Sequence, residues 1–327
     1  MQLESPQVAR PSAQASLRDY LAIARLDHHT KHVFMVPGII IAYVLRRPGL
    51  DHALVAVVIG CLSAIAVASA NYVLNEWLDR EFDAFHPLKS SRTAVNRALS
   101  PHLVYLEYAV LALTGIGLAY SLGASFLYMS LLFLASGVIY NVRPLRTKDK
   151  AYWDVISESI NNPIRLALGW SMIDPTTLPP SSLLLAFWTG GAFLMAAKRL
   201  SEYRDISADV GADVLHRYRR SFIAYTAENL TVSCFAYAIL SAFFIAIFLL
   251  KYRLEYIVAF PFVAGLFTVY FGLALRKGTV AQRPERLFRS RRLVVAVSLL
   301  AVVLLILSFV NLPFLDYISQ VSYIRVK

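Results

Sequence analysis

The chain has 327 residues, of which 57% are hydrophobic and only 16% charged. Apolar runs of membrane-spanning length recur from end to end, which excludes an ordinary soluble domain and marks a polytopic membrane protein. The formal charge of +11 would suit nucleic acid. Its placement in the loops between apolar runs points instead to membrane topology and lipid headgroups, with no nucleic-acid partner.

In chain order, residues 1–30 form a polar N-terminal segment without the apolar core of a signal peptide, so no cleaved signal is expected. About nine spans follow, near 33–47, 54–74, 103–121, 124–141, 154–173, 183–198, 223–250, 256–275 and 293–313, by the length rule for transmembrane helices. Residues 31–315 thus form one transmembrane unit, and 316–327 a short tail. Arg46, Arg47, Lys251, Arg253, Arg325 and Lys327 fall on one side of these spans, Arg165 lies within one, and every other Lys and Arg falls on the opposite side. The positive-inside rule makes the basic side cytoplasmic, with the N-terminus inside and the C-terminus outside a cell (inner) membrane. Cys61 and Cys234 sit in apolar runs and read as small core residues, and no HExxH pattern suggests zinc.

The second span ends in a polar stripe. Asn71, Asn75, Asp79 and Asp83 recur every fourth residue, which puts them on one face of a helix. Carboxylates are costly at such a place and usually face a cavity, a cation or a substrate path. Lys89 and Arg92 follow. Acid pairs beside Lys and Arg at a membrane surface suit a magnesium-bound polyphosphate: Mg2+ takes oxygen ligands and keeps substrate phosphates in its shell, and Arg offers a fork to the remaining oxygens. A solvated helix end with i,i+4 pairs would not require Asn75, Asp79 and Asp83 to share a face.

The next basic-side segment carries Tyr140, Arg146 and Lys148, and Asp154 and Glu158 open the fifth span. Asn161, Asn162 and Arg165 continue into the membrane, where the two amides suit interhelical hydrogen bonds. A buried Arg165 needs a partner, and Glu158, the two Asn or a substrate phosphate are the candidates. In the third basic-side segment Lys198 and Glu202 share a face, Asp205 and Asp209 repeat the four-residue spacing, and Arg217, Arg219 and Arg220 follow. Glu202 with Asp205 or Asp209 is a candidate second metal site facing the first, although acid–base alternation is also common on solvated helices.

Together these segments resemble the UbiA superfamily of intramembrane prenyltransferases. Asn75-Glu76-x-x-Asp79-x-x-x-Asp83, with Lys89 and Arg92, is similar to the family's N-D-x-x-D-x-x-x-D motif and its basic tail, with Glu76 in place of the usual Asp. Tyr140, Pro144, Arg146, Lys148 and Asp154 are similar to its Tyr-x-x-x-Pro-x-Arg-x-Lys segment and following Asp. In the place of the second Asp motif, prenyl-diphosphate users usually show D-x-x-x-D; here Lys198-Arg199-x-x-Glu202 stands there. That departure, with Tyr218 to Thr226 and Lys31-His32, resembles the branch that transfers phosphoribose to a polyprenyl phosphate, whereas Tyr140 to Lys148 looks like the ordinary prenyltransferases.

The resemblance implies an all-α integral membrane fold, with about nine helices around a central cavity that opens sideways to lipid beneath a cytoplasmic loop cap. It implies Mg2+ as cofactor, held by Asn75, Asp79 and Asp83, and a second ion held or oriented by Glu202 with Asp205 or Asp209. Lys89, Arg92, Tyr140, Arg146, Lys148 and Lys198 would bind diphosphate oxygens, and Asp154 or Glu158 would take an acceptor proton. The implied partners are a polyprenyl lipid, a diphosphate-bearing co-substrate and membrane lipids. The third segment favours 5-phosphoribosyl transfer onto a polyprenyl phosphate. Prenyl transfer from a polyprenyl diphosphate to an aromatic or other small acceptor is the alternative. An ion-coupled transporter is the alternative of a different class, disfavoured because the polar motifs gather at one membrane face rather than the midplane.

Overall fold

A computed structural model describes residues 13–46, 50–87, 89–252, 254–277 and 290–318. Arg47, Arg253, the basic segment with Arg283, Arg286 and Arg289, and the tail from 319 lie outside the described residues, as does the side chain of Lys31. The helices are α1 (Leu17–Ile23), α2 (Val36–Arg46), α3 (Leu50–Asp83), α4 (Thr93–Asn96), α5 (Pro101–Tyr120), α6 (Ala124–Asn141) and α7 (Trp153–Ser159). They continue with α8 (Asn161–Ile173), α9 (Ser181–Val210), α10 (Ala212–Tyr218), α11 (Ala227–Tyr252), α12 (Phe260–Ala274), α13 (Arg291–Leu307) and α14 (Pro313–Ile318). Among the described residues the strand content is one parallel pairing of two residues, β1 (Ala13–Gln14) with β2 (Arg97–Ala98).

Local sequence accounts for the boundaries. Pro101 opens α5 at its first turn, where a missing N–H costs nothing. Gly123 precedes α6 at φ 101° and Gly211 ends α9 at φ 92°, backbone conformations that a side chain would strain. Each of the nine expected spans contains a helix. Among the described residues six helices are long and apolar enough to cross a membrane: Ala53–Asp83, Pro101–Tyr120, Ala124–Asn141, Ser181–Asp209, Ala227–Tyr252 and Leu254–Ala274. The expected continuous span over 154–173 is instead α7 and α8, broken at Ile160. Pro163 lacks the N–H that would bond the Ser159 carbonyl, and Trp188 Nε1 donates to the Ile156 carbonyl at 3.0 Å beside the break.

Two helices overshoot the bilayer. α3 has 34 residues and α9 has 30, so at 1.5 Å per residue they are about 50 and 45 Å long, against a hydrocarbon core of roughly 30 Å. Their excess emerges on the same side and carries Asn75–Asp83 and Lys198–Asp209. α8 sits at the centre, buried from Asn162 to Ile173 and packed on α2, α3, α6 and α9. It crosses α2 backbone to backbone: a Cβ on Gly38 would lie 2.1 Å from the Leu166 carbonyl oxygen, and one on Gly169 2.1 Å from that of Met35. Leu113 on α5, Phe235 on α11 and Val295 on α13 are mostly exposed, as lipid-facing side chains are. The N-terminal segment is docked, with Ile23 and Ala24 buried against Val73, Trp77 and Leu99.

Candidate active site

The protruding ends of α3 and α9 and the loops after α3, α6 and α9 enclose the upper end of a cavity of about 1350 Å³. Asn75, Asp79, Lys89, Arg92, Lys198, Glu202 and Arg219 line it there. Deeper, its wall turns apolar: Phe187 of α9, Phe248 of α11, Leu266 of α12 and Leu304 of α13. A charged mouth over a long apolar bore suits an amphiphile with an anionic head.

The first two segments meet at Asp79. Its Oδ1 accepts from Arg146 Nη2 at 2.9 Å and from Lys148 Nζ at 2.5 Å, and its Oδ2 accepts from Asn75 at 3.2 Å. Asn141 ties this cluster together, accepting from Asn75 Nδ2 and Lys148 Nζ, each at 2.6 Å. The loop that delivers Arg146 holds it at φ 28°. That costly conformation is fixed by the Arg146 N–H to the Val142 carbonyl at 2.8 Å and by Nη1 to the Asn141 carbonyl at 3.0 Å. Burial lowers the Lys148 ammonium to about 8, with Asp79 opposing that fall. One turn further, Asp83 pairs with Arg92. Lys89 donates to the Tyr218 hydroxyl, and its ammonium lies 4.3 Å from that ring's centroid. Burial pulls Lys89 well below the ordinary lysine value and, with the Lys89 charge, holds His86 at about 3, so this imidazole is neutral.

The second and third segments meet at Arg199, 1% exposed. It donates to Asp154 at 3.0 Å, Glu158 at 2.8 Å and Glu202 at 3.0 Å. Tyr140 donates its hydroxyl to Glu158 at 2.7 Å and accepts from Arg219 at 3.2 Å.

Of the expected site residues, Asn75, Asp79, Lys89, Arg92, Tyr140, Lys198 and Glu202 line the cavity. Asp83, Arg146 and Lys148 line an adjoining recess, and Asp79 and Arg219 line both. Asp154 is not on the cavity wall. It is fully buried, accepting from Arg199, from Ser221 at 3.1 Å and from Tyr225 at 2.6 Å, so its oxygens anchor the cap. Asp205 and Asp209 do not line the cavity either. Asp209 lies seven residues beyond Glu202, about 10 Å further along α9, where it pairs at the surface with Lys277 at 2.5 Å. Among the described residues no three His, Cys, Asp or Glu side chains converge as a ready-made metal cage. Arg199, Arg219 and Asn141 were not expected in the site; Arg199, three residues before Glu202, was the legible hint. Glu76, in the place of the family's Asp, turns to Arg25 at 2.6 Å and to the Ala94 N–H at 3.4 Å, holding the N-terminal segment against the cap.

The UbiA prenyltransferase family matches residues 35–294. The chain belongs to the UbiA prenyltransferase family. Several solved structures share its fold. A UbiA homolog from Archaeoglobus fulgidus, bound to DMAPP and Mg2+, superposes with a TM-score of 0.64 at 16% identity, covering 89% of this chain and 100% of that one. The same homolog bound to GPP and Mg2+ gives 0.64 at 17% identity, covering 89% and 99%. A digeranylgeranylglyceryl phosphate synthase gives 0.58 at 13% identity, covering 89% and 95%. An uncharacterized protein of Sinorhizobium fredii, y4nM, is 28% identical over 134 residues, 41% of this chain. The UbiA chain therefore spans only a quarter of that relative's length.

Proposed function

We propose that this UbiA member is a magnesium-dependent transferase whose donor loses diphosphate at the cap while a polyprenyl chain occupies the apolar bore, and that the donor is 5-phosphoribosyl diphosphate and the acceptor a polyprenyl phosphate. The observation that carries the donor assignment is the cation-rich cap. Lys198 and Arg219 face the cavity with Glu202, which Arg199 already engages, and among the described residues of α9 neither Asp205 nor Asp209 lines it. A donor bearing a 5-phosphate as well as a diphosphate needs more cations than an allylic diphosphate does.

The donor set at Asp79 fits magnesium. Two carboxylates and an amide on one helix face, without a cage, match an ion held by one or two acids and completed by substrate phosphates. Asn75, Asp79 and Asp83 would hold it, and bound there it supplies charge neutralisation to the departing diphosphate. Lys89, Arg92, Arg146, Lys148 and Lys198 bind diphosphate oxygens, and the rigid Asp154–Arg199 anchor keeps the cap in register. A phosphate acceptor is already anionic and needs no base. Glu158, on the cavity wall beside Tyr140, is then a positioning group. The cap faces the cytoplasm, where the basic loops lie.

A second reading, prenyl transfer from a prenyl diphosphate to a small acceptor, is favoured by the DMAPP and GPP bound in the Archaeoglobus homolog. There Glu158 would take the acceptor proton. Purified protein with magnesium, offered labelled phosphoribosyl diphosphate with polyprenyl phosphate and, separately, a prenyl diphosphate with aromatic acceptors, decides between them. Transfer in the first assay is expected, and transfer confined to the second overturns the phosphoribosyl donor.

A further inference from the structure

Arg165 has no acid. It lies on the second turn of α8, 6% exposed, and faces the cavity below the cap. Its one hydrogen bond among the described residues runs from Nη1 to the Asn161 carbonyl at 3.5 Å, the far limit of such a contact, and its buried Nε has no partner. The guanidinium lies over the Phe133 ring, 4.8 Å from its centroid. The other arginines of the site are each matched to a carboxylate: Arg92 to Asp83, Arg146 to Asp79, Arg199 to three, Arg219 to Asp154. Arginine stays charged inside proteins, and a charge in an apolar interior is costly unless something of opposite sign meets it.

Glu158, the cavity-lining acid seven residues before Arg165, is engaged instead by Arg199 at 2.8 Å and Tyr140 at 2.7 Å. Asn71, Tyr72 and Asn161 line the cavity with Arg165. Asn71 donates to the Phe133 carbonyl at 2.9 Å, which places it at the level of the ring under the guanidinium. Asp79 is eight residues further along α3, about 12 Å towards the cap. The protein thus has a cationic cap for one anion and a separate, uncompensated arginine two helical turns below it.

We propose that Arg165 is the recognition site for an oxyanion on the acceptor, a phosphomonoester or a carboxylate, distinct from the groups that bind the donor's diphosphate. This rests on the transferase reading above. A planar guanidinium on the cavity wall, with donors beyond its one long bond to the Asn161 carbonyl, suits a two-oxygen fork, which both anions offer. A neutral acceptor would leave the charge unmet, so the site selects for charge as well as shape.

The test reads binding without turnover. Wild-type protein in lipid nanodiscs, with magnesium pyrophosphate saturating the cap, is titrated calorimetrically with farnesyl phosphate and farnesol, and with 4-hydroxybenzoate and its methyl ester. One anionic probe is expected to bind roughly ten-fold or more tightly than its neutral partner, and which probe does so identifies the source of the oxyanion. In Arg165→Met the preference should collapse to within about two-fold, and Arg165→Lys should keep part of it, because charge remains while the fork is lost. Equal binding of anionic and neutral probes by wild type overturns the proposal even if Arg165→Met fails to fold, as does a preference that survives in folded Arg165→Met. An anion preference without transfer from either donor would support the oxyanion site and sink the transferase reading. Transfer without any preference would do the reverse.

Discussion

Asp79 meets competing demands at the cap. Lys148, Arg146 and Asn75 all contact its two oxygens, yet it also heads the proposed magnesium set. These roles are compatible because arriving phosphates offer Lys148 and Arg146 new partners while the metal takes the acid. Asp79→Asn and Asp83→Asn should each lower magnesium-dependent turnover by roughly a hundred-fold or more with the protein still monodisperse in detergent, and near-normal turnover in either would exclude the metal role. Lys148 adds a pH signature. Its ammonium is lowered to about 8, so in the free enzyme it is charged below that pH and neutral above. kcat/KM for the donor should therefore fall as pH rises through about 8. In Lys148→Arg, which cannot lose its proton in this range, that falling limb should disappear; an unchanged limb assigns it to another group. At this scale the acids and most of the cations were legible from spacing alone. The pairing of Asp79 with Arg146 and Lys148, and that of Arg199 with Asp154 and Glu158, were not, because they join residues 41 to 69 positions apart through loop geometry that no local period encodes.

The elements were legible wherever hydrophobicity persisted for a full crossing, and α3, α5, α6, α9 and α11 sit where apolar runs placed them. The break between α7 and α8 was not, since an apolar run with one proline reads as continuous; at the break Pro163 offers no N–H to the Ser159 carbonyl and the Trp188 side chain donates to the carbonyl of Ile156. The break matters because α8 carries Arg165 and is located by its glycine crossing with α2. Gly38→Ala would drive a methyl group to 2.1 Å from the Leu166 oxygen, and that neighbour is backbone, which cannot swing aside. A loss of about 1–3 kcal/mol is expected from such overpacking, read as a lower thermal midpoint in detergent. Gly117→Ala, where a Cβ meets nothing within 4 Å, should leave the midpoint unchanged. Equal midpoints for the two variants would mean that the crossing is not close-packed in the membrane.

For the molecule as a whole, charge and geometry converge on one membrane face. Three of the basic-side segments fold into the cap, and the opposite face is knitted by Asp174, which pairs with Arg46 at 2.9 Å and accepts from the Thr176 and Thr177 amides at 3.0 and 3.2 Å. Those amide and hydroxyl donors hold the Asp174 carboxyl at about 2 against the opposing effect of burial, so this outer clasp is charged at any physiological pH. The proposed cytoplasmic orientation of the cap has a physical rationale: phosphorylated, membrane-impermeant donors would be available on that side, while the proposed lipid acceptor would enter from the bilayer. Two exposed positions report the orientation, Lys150 on the cap and Leu178 on the opposite face. With Cys61 and Cys234 replaced by alanine, Leu178→Cys in intact cells should react with a membrane-impermeant maleimide, and Lys150→Cys only after lysis. The reverse pattern would put the charged mouth of the cavity outside the cell, where no cytoplasmic sugar or prenyl diphosphate reaches it, and the cap would then have to act on a donor supplied from the other compartment.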